Sequence, residues 1–291
     1  MVNRSHTYRT RAVILRRRSY SDADRILTVF TPRLGKRVLI AKGARKTTSR
    51  KAGHLELFSH ANLLVAQART WDIVTETVTV ESFLNLRTNL DGISRAAYIC
   101  ELVDAFTAED DENEALWELL LLCLRELNAL PESAPQHDLL LRWFELHLLF
   151  QMGFQPELFA CLGCGEDLRP VLNFLHLHAG GVFCPDCGRA QKGAEPITAQ
   201  TLKILRHLAR TQWESLRELR LGQSTALAVE SVQQRYLVTV LERRLKSADF
   251  IFRLRQSSGT DDGAASNEAE SSVDGLDNPP SPANPSYKAT P

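Results

Sequence analysis

Two short cysteine motifs constrain the fold of this 291-residue chain more than any other feature. They are Cys161-x-x-Cys164-Gly165 and Cys184-x-x-Cys187-Gly188, with 19 residues between them. Two thiolates at this spacing can bind one metal ion because the turn between them directs both sulfurs to one side, and the following glycine permits that turn. The spacing therefore predicts one structural Zn²⁺ per chain, held by Cys161, Cys164, Cys184 and Cys187. Four protein ligands leave no open position on the metal for catalysis.

The segment between the two motifs predicts a small hairpin. Residues 173–177 and 182–183 are strand-like and are joined through Ala179-Gly180-Gly181, so that residues 158–190 form a zinc ribbon. The alternative is two redox pairs or unrelated cysteines. Cys100 and Cys123 lie inside apolar helical patterns, and we expect them to be small buried hydrophobic residues in a reducing compartment.

Charge is strongly segregated along the chain, although the formal net charge is zero. Residues 1–80 contain 16 Lys and Arg against 5 Asp and Glu, residues 81–256 contain 18 against 24, and residues 257–291 contain 1 against 6. Such an excess of cations in one small region indicates an anionic partner. The last segment has almost no large apolar residue, and residues 255–291 are predicted to be a disordered acidic tail.

The basic region has the pattern of a small β-barrel. Strands are predicted at residues 9–15, 25–31, 36–42, 61–66 and 72–80, separated by Pro32, Gly35, Gly43 and Gly53. Five short strands in about eighty residues fit an OB fold. A six-stranded or SH3-like barrel would give nearly the same pattern.

Helical periodicity begins after the barrel. Helices are predicted at residues 94–107, 114–129, 138–152, 198–210 and 226–246, each with an apolar stripe on one face. The fold class is therefore multidomain α+β: an OB-fold barrel over residues 1–80, then an α-helical domain over residues 81–254 with the zinc ribbon inserted.

The densest basic segment predicts a nucleic-acid-binding loop. Residues 42–51, the basic loop, combine Lys and Arg with Gly, Ser and Thr, which suits contacts along a phosphate backbone. Aromatic residues interleaved with this region could stack on unpaired bases, although Phe30 and Phe58 fit a core better. The predicted DNA-binding residues are Arg16, Arg18, Tyr20, Lys36, Arg37, Lys42, Arg45, Lys46, Arg50 and Lys51.

The sequence lacks the usual motifs of several enzyme classes. The sequence has no phosphate-binding P-loop, no dinucleotide-binding glycine motif, no HExxH and no GxSxG, so we expect a protein that is not an enzyme. No window approaches about 18 consecutive apolar residues, and no signal-peptide core follows Arg4 and His6. The expected location is the cytoplasm, without membrane association.

The combination of motifs resembles the RecO family of recombination mediators, over residues 8 to about 254. Its most specific parts are the Ala41-Lys42-Gly43-Ala44-Arg45 segment and the Leu141–Leu146 helix that leads into the first cysteine pair. Further matching residues are Ala12–Leu15, Tyr20–Ile26, Phe30-Thr31, Gly35-Lys36, Gly153 and Pro156. The acidic tail is not part of this pattern.

The resemblance implies an OB-fold amino-terminal domain, a helical domain and, in zinc-bearing members, a four-cysteine site. It further implies binding of single- and double-stranded DNA, annealing of complementary strands, contacts with RecR and with single-stranded-DNA-binding protein (SSB), and help in loading RecA. A zinc-ribbon RNA-binding or transcription-associated module is the alternative, and a metal-dependent nuclease is less favoured because no acidic metal cluster accompanies the basic face.

The resemblance also predicts where the acidic, carboxylate-ending SSB tail would bind. Such a tail needs an apolar groove beside a cation. Arg142, next to Trp143 and Phe144, and Arg206, next to Leu205, are candidate cations on the helical domain. The alternative is that these neighbours form the core and that each arginine is solvated or ion-paired.

Overall fold

The computed structural model begins with five strands that surround one apolar interior. It describes residues 6–131, 134–248 and 250–251, which lie in a unit spanning Met1–Phe252. The predicted tail and the first five residues lie outside the described residues. The strands are β1 (Thr7–Ser19), β2 (Arg25–Thr31), β3 (Gly35–Ala41), β4 (His60–Ala66) and β5 (Asp72–Glu81).

The strands pair in the order β1-β2-β3-β5-β4, and β4 also pairs with β1. All these pairings are antiparallel except β3 with β5, which is parallel and joins only two residue pairs, Leu39 with Asp72 and Ile40 with Ile73. The strand-rich amino-terminal region is thus confirmed. The interior is filled by small and branched residues that alternate along the strands, among them Ala12, Ile14, Leu27, Val29, Leu39, Leu63 and Val74.

Strand β1 is longer than predicted, and its alternation explains how the barrel joins the rest of the chain. Ala12 and Ile14 face the barrel interior, whereas Val13 and Leu15 belong to the same buried cluster as the helices. Phe30 and Phe58 join that second cluster. Their placement in the core is as predicted, and it fixes one side of the barrel against the helical domain.

Helices α1 to α7 follow in the described part of the chain, interrupted by the cysteine segment. They are α1 (Leu90–Phe106), α2 (Glu114–Ala129), α3 (Gln136–Gln151), the short α4 (Pro185–Gly188), α5 (Ala199–Arg210), the short α6 (Trp213–Leu216) and α7 (Gln223–Leu241). The five long helices correspond to the five predicted ones with shifted ends. Asn89, Asn113 and Thr198 cap α1, α2 and α5 by accepting backbone N–H groups of the first turn. The predicted burial of Cys100 and Cys123 is confirmed.

The cysteine segment contains a three-stranded sheet. Strand β6 (Asn173–His176) pairs with β7 (Gly181–Phe183), as the sequence predicts, and also with β8 (Glu195–Ile197), which the sequence analysis missed. Strand β8 is three residues long and contains Pro196, so it carries little strand signal. Within the described residues, no helix is long and apolar enough to cross a membrane.

A buried polar network links three helices in the core. The Arg142 guanidinium of α3 lies 2.8 Å from a Glu145 carboxylate oxygen, and the Tyr98 hydroxyl of α1 donates to that oxygen at 2.6 Å. The Gln233 amide of α7 donates to the Arg142 carbonyl at 2.7 Å. Burial raises the pKa of Tyr98 well above its usual value, so the phenol stays a hydrogen-bond donor.

Replacing Arg142 by Met is expected to lower the free energy of unfolding by about 3–5 kcal/mol, because it removes the buried cation that pairs with Glu145. Urea unfolding followed by circular dichroism measures this. Arg235→Met is the matched control, since Arg235 pairs with Glu195 and both side chains are exposed, and about 0–1 kcal/mol is expected for an exposed pair. Equal losses in the two variants would contradict a special role for the buried pair.

Candidate functional site

The four predicted metal ligands come together in the structure. The sulfur atoms of Cys161, Cys164, Cys184 and Cys187 all lie within 4.8 Å of one another, and those of Cys164 and Cys184 are 4.0 Å apart. In a tetrahedral site with Zn–S bonds of about 2.3 Å, the sulfurs are about 3.8 Å apart. The four side chains therefore fit a single metal ion. His176 lies outside this set and accepts a hydrogen bond from the Ala179 N–H.

Glycines allow the two motifs to approach each other. A Cβ atom on Gly163 would lie 2.9 Å from the Cys187 Cβ and 3.0 Å from its sulfur. A Cβ on Gly188 would lie 2.5 Å from the Cβ of Phe174 in β6. Gly165 has φ +75°, a conformation that glycine adopts without strain. Both motifs thus depend on the small residues that follow or separate their cysteines.

The backbone around Cys161 favours its thiolate. Burial opposes ionisation, but backbone N–H groups of Cys184, Cys164 and Gly163 point at this sulfur and lower the pKa of Cys161 to about 6. The Cys184 and Gly163 nitrogens lie 3.1 and 3.3 Å from the sulfur. Because metals bind the deprotonated thiol, these hydrogen bonds favour the form of Cys161 that binds a metal ion.

Arg206 anchors the cysteine segment to α5. Its guanidinium donates to the carbonyls of Leu158 at 2.7 Å and Leu168 at 3.3 Å, and it lies over the Phe159 ring. Burial and the neighbouring Arg210 lower its pKa. In this structure the predicted partner-binding cation is occupied by contacts within the chain.

Arg142 is also not a surface cation here, because only 5% of it is exposed and it belongs to the buried network with Glu145. The apolar neighbours that suggested a groove are instead core residues, which was the alternative left open.

A groove that the sequence analysis did not identify lies elsewhere on the helical domain. It has a volume of about 420 Å³ and is lined mainly by apolar residues of α7 and the segment after it, including Leu237, Val238 and Leu245. Arg235 and Arg244 stand at its rim. Arg235 pairs with Glu195, whereas Arg244 is exposed. This helical groove combines apolar lining residues with Arg244, which has no acidic partner among the described residues; such a combination was expected near Arg142 or Arg206.

The basic loop is held at one end of the barrel beside the β1–β2 turn. The Arg45 backbone N–H donates to the Ala23 carbonyl at 2.9 Å, and its guanidinium donates to the Ser21 carbonyl at 2.7 Å. The Asp24 carboxylate accepts the Gly43 N–H at 2.8 Å. These bonds place Arg18, Tyr20, Lys42, Lys46 and Arg50, all exposed, on the same end of the barrel.

Tyr20 and Trp71 form an aromatic pair near this end. Their rings are 5.1 Å apart and nearly perpendicular, and Tyr20 is 56% exposed. An exposed ring that is braced by a second ring can stack on an unpaired base. By contrast, the Tyr8 hydroxyl donates to Asp72, and burial followed by this hydrogen bond raises its pKa to about 12.

Four of the predicted DNA-binding cations are engaged within the chain. Lys36 pairs with Asp104 at 3.2 Å, and Arg37 pairs with Asp72 at 3.1 Å and with Asp110. Arg16 also reaches Asp104, at 3.4 Å. Lys51 donates to the Val74 carbonyl, and burial lowers its pKa. Among the predicted cations, those with no acidic partner in the described residues and an exposed side chain are therefore Arg18 and, in the basic loop, Lys42, Arg45, Lys46 and Arg50.

A second basic surface was missed from the sequence. Arg9, Arg11 and Arg33 line a groove of about 560 Å³ between the start of β1 and the β2–β3 turn. The alternation Arg9-Thr10-Arg11 on a strand was the available signal, because it places both arginines on one face.

The structure therefore combines a five-stranded barrel that has a basic end with a helical domain that carries a four-cysteine site. Two family models match the chain: recombination protein O, N terminal, over residues 5–83, and recombination protein O, C terminal, over residues 87–249. The chain therefore belongs to the RecO family of DNA repair and recombination proteins.

Curated relatives agree with this assignment. DNA repair protein RecO of Roseiflexus sp. (strain RS-1) is 41% identical over 253 residues, which cover 87% of this chain and 88% of that protein. The proteins of the same name from Dehalococcoides mccartyi (strain BAV1) and Symbiobacterium thermophilum are each 35% identical, covering 87% and 86% of this chain and 98% of each relative.

We expect the purified protein to contain about one metal ion per chain. The variants Cys161→Ser and Cys187→Ser should each lose the metal and unfold at a lower temperature, because metal binding at such a site contributes folding free energy. Elemental analysis and thermal unfolding measure both. Cys123→Ser is the control, since Cys123 is buried in α2 away from the site; it should retain the metal. Metal-free wild-type protein would refute the assignment.

Proposed function

We propose that this chain is a non-enzymatic recombination mediator that binds single- and double-stranded DNA and anneals complementary strands. Family membership supports a role in repair and recombination. The observation that carries the DNA-binding part is the basic loop, whose exposed cations lie beside the Tyr20–Trp71 pair at one end of the barrel. Cations can neutralise phosphates while an exposed ring stacks on a base.

The barrel is proposed to be an OB fold. Its strand order, with β1 shared between β2 and β4 and with β3 parallel to β5, supports this. The loops that connect β1 with β2 and β3 with β4 meet through the bonds of Arg45 and Gly43. A strand of DNA would therefore contact both loops at once.

The metal is proposed to be a structural Zn²⁺. Four thiolates in a closed tetrahedral arrangement suit Zn²⁺ and leave no position for a reactive water. The site packs against α5 through Arg206 and Phe159, so its role is to hold the cysteine segment on the helical domain.

The proposed partners are RecR and SSB, with RecA loaded indirectly. We place the SSB tail in the helical groove, because an acidic peptide with a terminal apolar residue requires an apolar floor and a nearby cation. Leu237, Val238 and Leu245 supply the floor and Arg244 the cation. The groove thus replaces Arg142 and Arg206 as the proposed tail-binding site.

Replacing Lys42, Lys46 and Arg50 together by Ala is expected to weaken DNA binding and to flatten the slope of log affinity against log salt concentration. Each neutralised phosphate contributes about 0.7 to this slope on single strands and about 0.9 on duplex. The slope should therefore fall by up to about 2 on single strands and by up to about 3 on duplex. Fluorescence anisotropy at several salt concentrations measures the slope. The matched control replaces Lys192, Lys203 and Arg243, three exposed cations of the helical domain, and should leave the slope unchanged. Equal effects of both triple variants would place the DNA elsewhere.

Annealing of complementary oligonucleotides tests the mediator function. The wild type should accelerate annealing of naked and of SSB-coated strands without any nucleotide. Arg244→Glu should lose activity only on coated strands, because it reverses the cation of the helical groove, while Arg243→Glu should behave as wild type. Absence of annealing on naked DNA would overturn the function, and equal activity of the two variants on coated DNA would remove the tail from the groove.

A further inference from the structure

The first half of β1 has an open edge on one side. Residues 7–13 pair with β4, and β2 pairs with β1 only from Val13 onward. Continuing the β1–β2 register would set Arg11 opposite Pro32, which has no N–H group to donate. Within the described part of the chain, no strand therefore pairs with the other edge of residues 7–12, which we call the β1 edge.

The hydrogen-bond pattern shows which backbone groups face this edge. The Gln67 N–H donates to the His6 carbonyl and the Ile14 N–H to the Ser59 carbonyl, in the register in which Tyr8, Thr10 and Ala12 bond to β4. In an antiparallel ladder the intervening residues point their N–H and C=O groups the other way. Those of Arg9 and Arg11 thus face outward, and the Arg11 carbonyl accepts the Thr10 hydroxyl at 3.0 Å.

The β1 edge forms one wall of the basic groove described above. The β2–β3 turn, Pro32 to Leu34, and Gln67 also line this groove. The groove volume of about 560 Å³ lies in the range of peptide- and ligand-binding clefts. Five or six residues of strand span about 17–20 Å, so the edge is long enough to pair with a short extended segment.

Charge and rigidity favour an acidic occupant. Arg9, Arg11 and Arg33 are exposed at the groove, whereas Arg37 is already paired with Asp72 and Asp110. Asp72 is itself held by the Tyr8 hydroxyl and the Ala68 N–H. The Arg11 guanidinium lies 5.6 Å from the centre of the Trp117 ring. Among the described residues, the three exposed arginines that line this groove have no acidic partner, whereas Arg37 and Asp72 are held by contacts within the chain.

We propose that the β1 edge binds an extended acidic segment of a partner protein as an added β-strand. Its backbone would pair with the outward N–H and C=O groups of Arg9 and Arg11. Carboxylates at every second position would meet these two arginines, which lie on one face, and Arg33 would contact the same segment from the other wall.

A peptide fits the edge better than a nucleic-acid strand does. The edge offers donors and acceptors in alternation, and a second β-strand satisfies both kinds. A phosphate backbone supplies acceptors only, so it would leave the outward carbonyls unpaired. A second copy of the same edge is also disfavoured, because it would bring like-charged arginines together. The site is distinct from the basic loop and does not depend on the function proposed for that loop.

A fluorescein-labelled peptide of sequence Glu-Val-Glu-Val-Glu-Val tests the proposal on the full chain by fluorescence anisotropy at low salt. The variant Arg9→Glu with Arg11→Glu should bind on the order of tenfold or more weakly. The matched variant Lys203→Glu with Arg243→Glu should bind as wild type, because these exposed cations lie outside the groove. Replacing Glu by Lys in the peptide should abolish binding.

Two measurements separate strand addition from charge attraction and do not depend on a mutant that folds. Methylating alternate backbone nitrogens of the peptide should reduce affinity about tenfold in one register and little in the other. The amides of Arg9 and Arg11 should exchange more slowly with solvent when the unmodified peptide is bound, as seen by NMR.

Three outcomes would overturn the proposal: no peptide binding, unchanged exchange at Arg9 and Arg11, or loss of oligodeoxythymidine binding in the double-Glu variant without loss of peptide binding. The last would assign the groove to DNA. The basic-loop triple variant should lose DNA but keep the peptide, so failure of the DNA-binding function is distinguished from failure of this site.

Discussion

The structure depends on a single long strand that serves two different surroundings. One face of β1 buries Ala12 and Ile14 inside the barrel, while the other buries Val13 and Leu15 against the helices. Full burial of a Val, Leu or Ile side chain stabilises the fold by roughly 1.5–3 kcal/mol. Such side chains are buried on both faces of β1. The barrel and the helical domain therefore share a core, and each limits how the other can move.

The same strand explains why the binding surfaces are separate. Its second half, paired with β2, ends beside the basic loop, where Lys42, Lys46 and Arg50 are exposed and form no ion pair among the described residues. Its first half is paired with β4 alone and leaves the edge with Arg9 and Arg11. The change of partner falls at Pro32, because Pro32 has no N–H group to donate to Arg11 if the β1–β2 ladder were to continue. Two kinds of surface thus arise from one change of partner along a strand.

Much of this could be predicted from the sequence, because the signals were local. The cysteine spacing predicted a site whose four sulfurs do converge, and the helical periodicity placed the five long helices. The roles of individual charges could not be predicted, because they depend on distant partners. Lys36 meets Asp104 and Arg37 meets Asp72 across the fold, and no local pattern distinguishes these cations from Lys46 or Arg50. Arg142 is similar: its apolar neighbours fit a groove and a core equally well, and Glu145 and Tyr98 decide for the core.

The loop between α1 and α2 affects how charge is distributed over the barrel. The backbone of Glu109 forms isolated β-bridges with Gly35 and Lys36. A Cβ atom on Gly35 would lie 2.1 Å from the Asp111 carbonyl oxygen, so only glycine at position 35 allows the acidic loop to pack this closely. Asp110 of this loop pairs with Arg37 near the β2–β3 turn, whereas the exposed Lys42, Lys46 and Arg50 at the opposite end form no ion pair among the described residues. The positive charge of the barrel is therefore unevenly distributed over its surface. For the DNA-binding function proposed above, such an uneven charge distribution would orient an approaching polyanion as well as attract it.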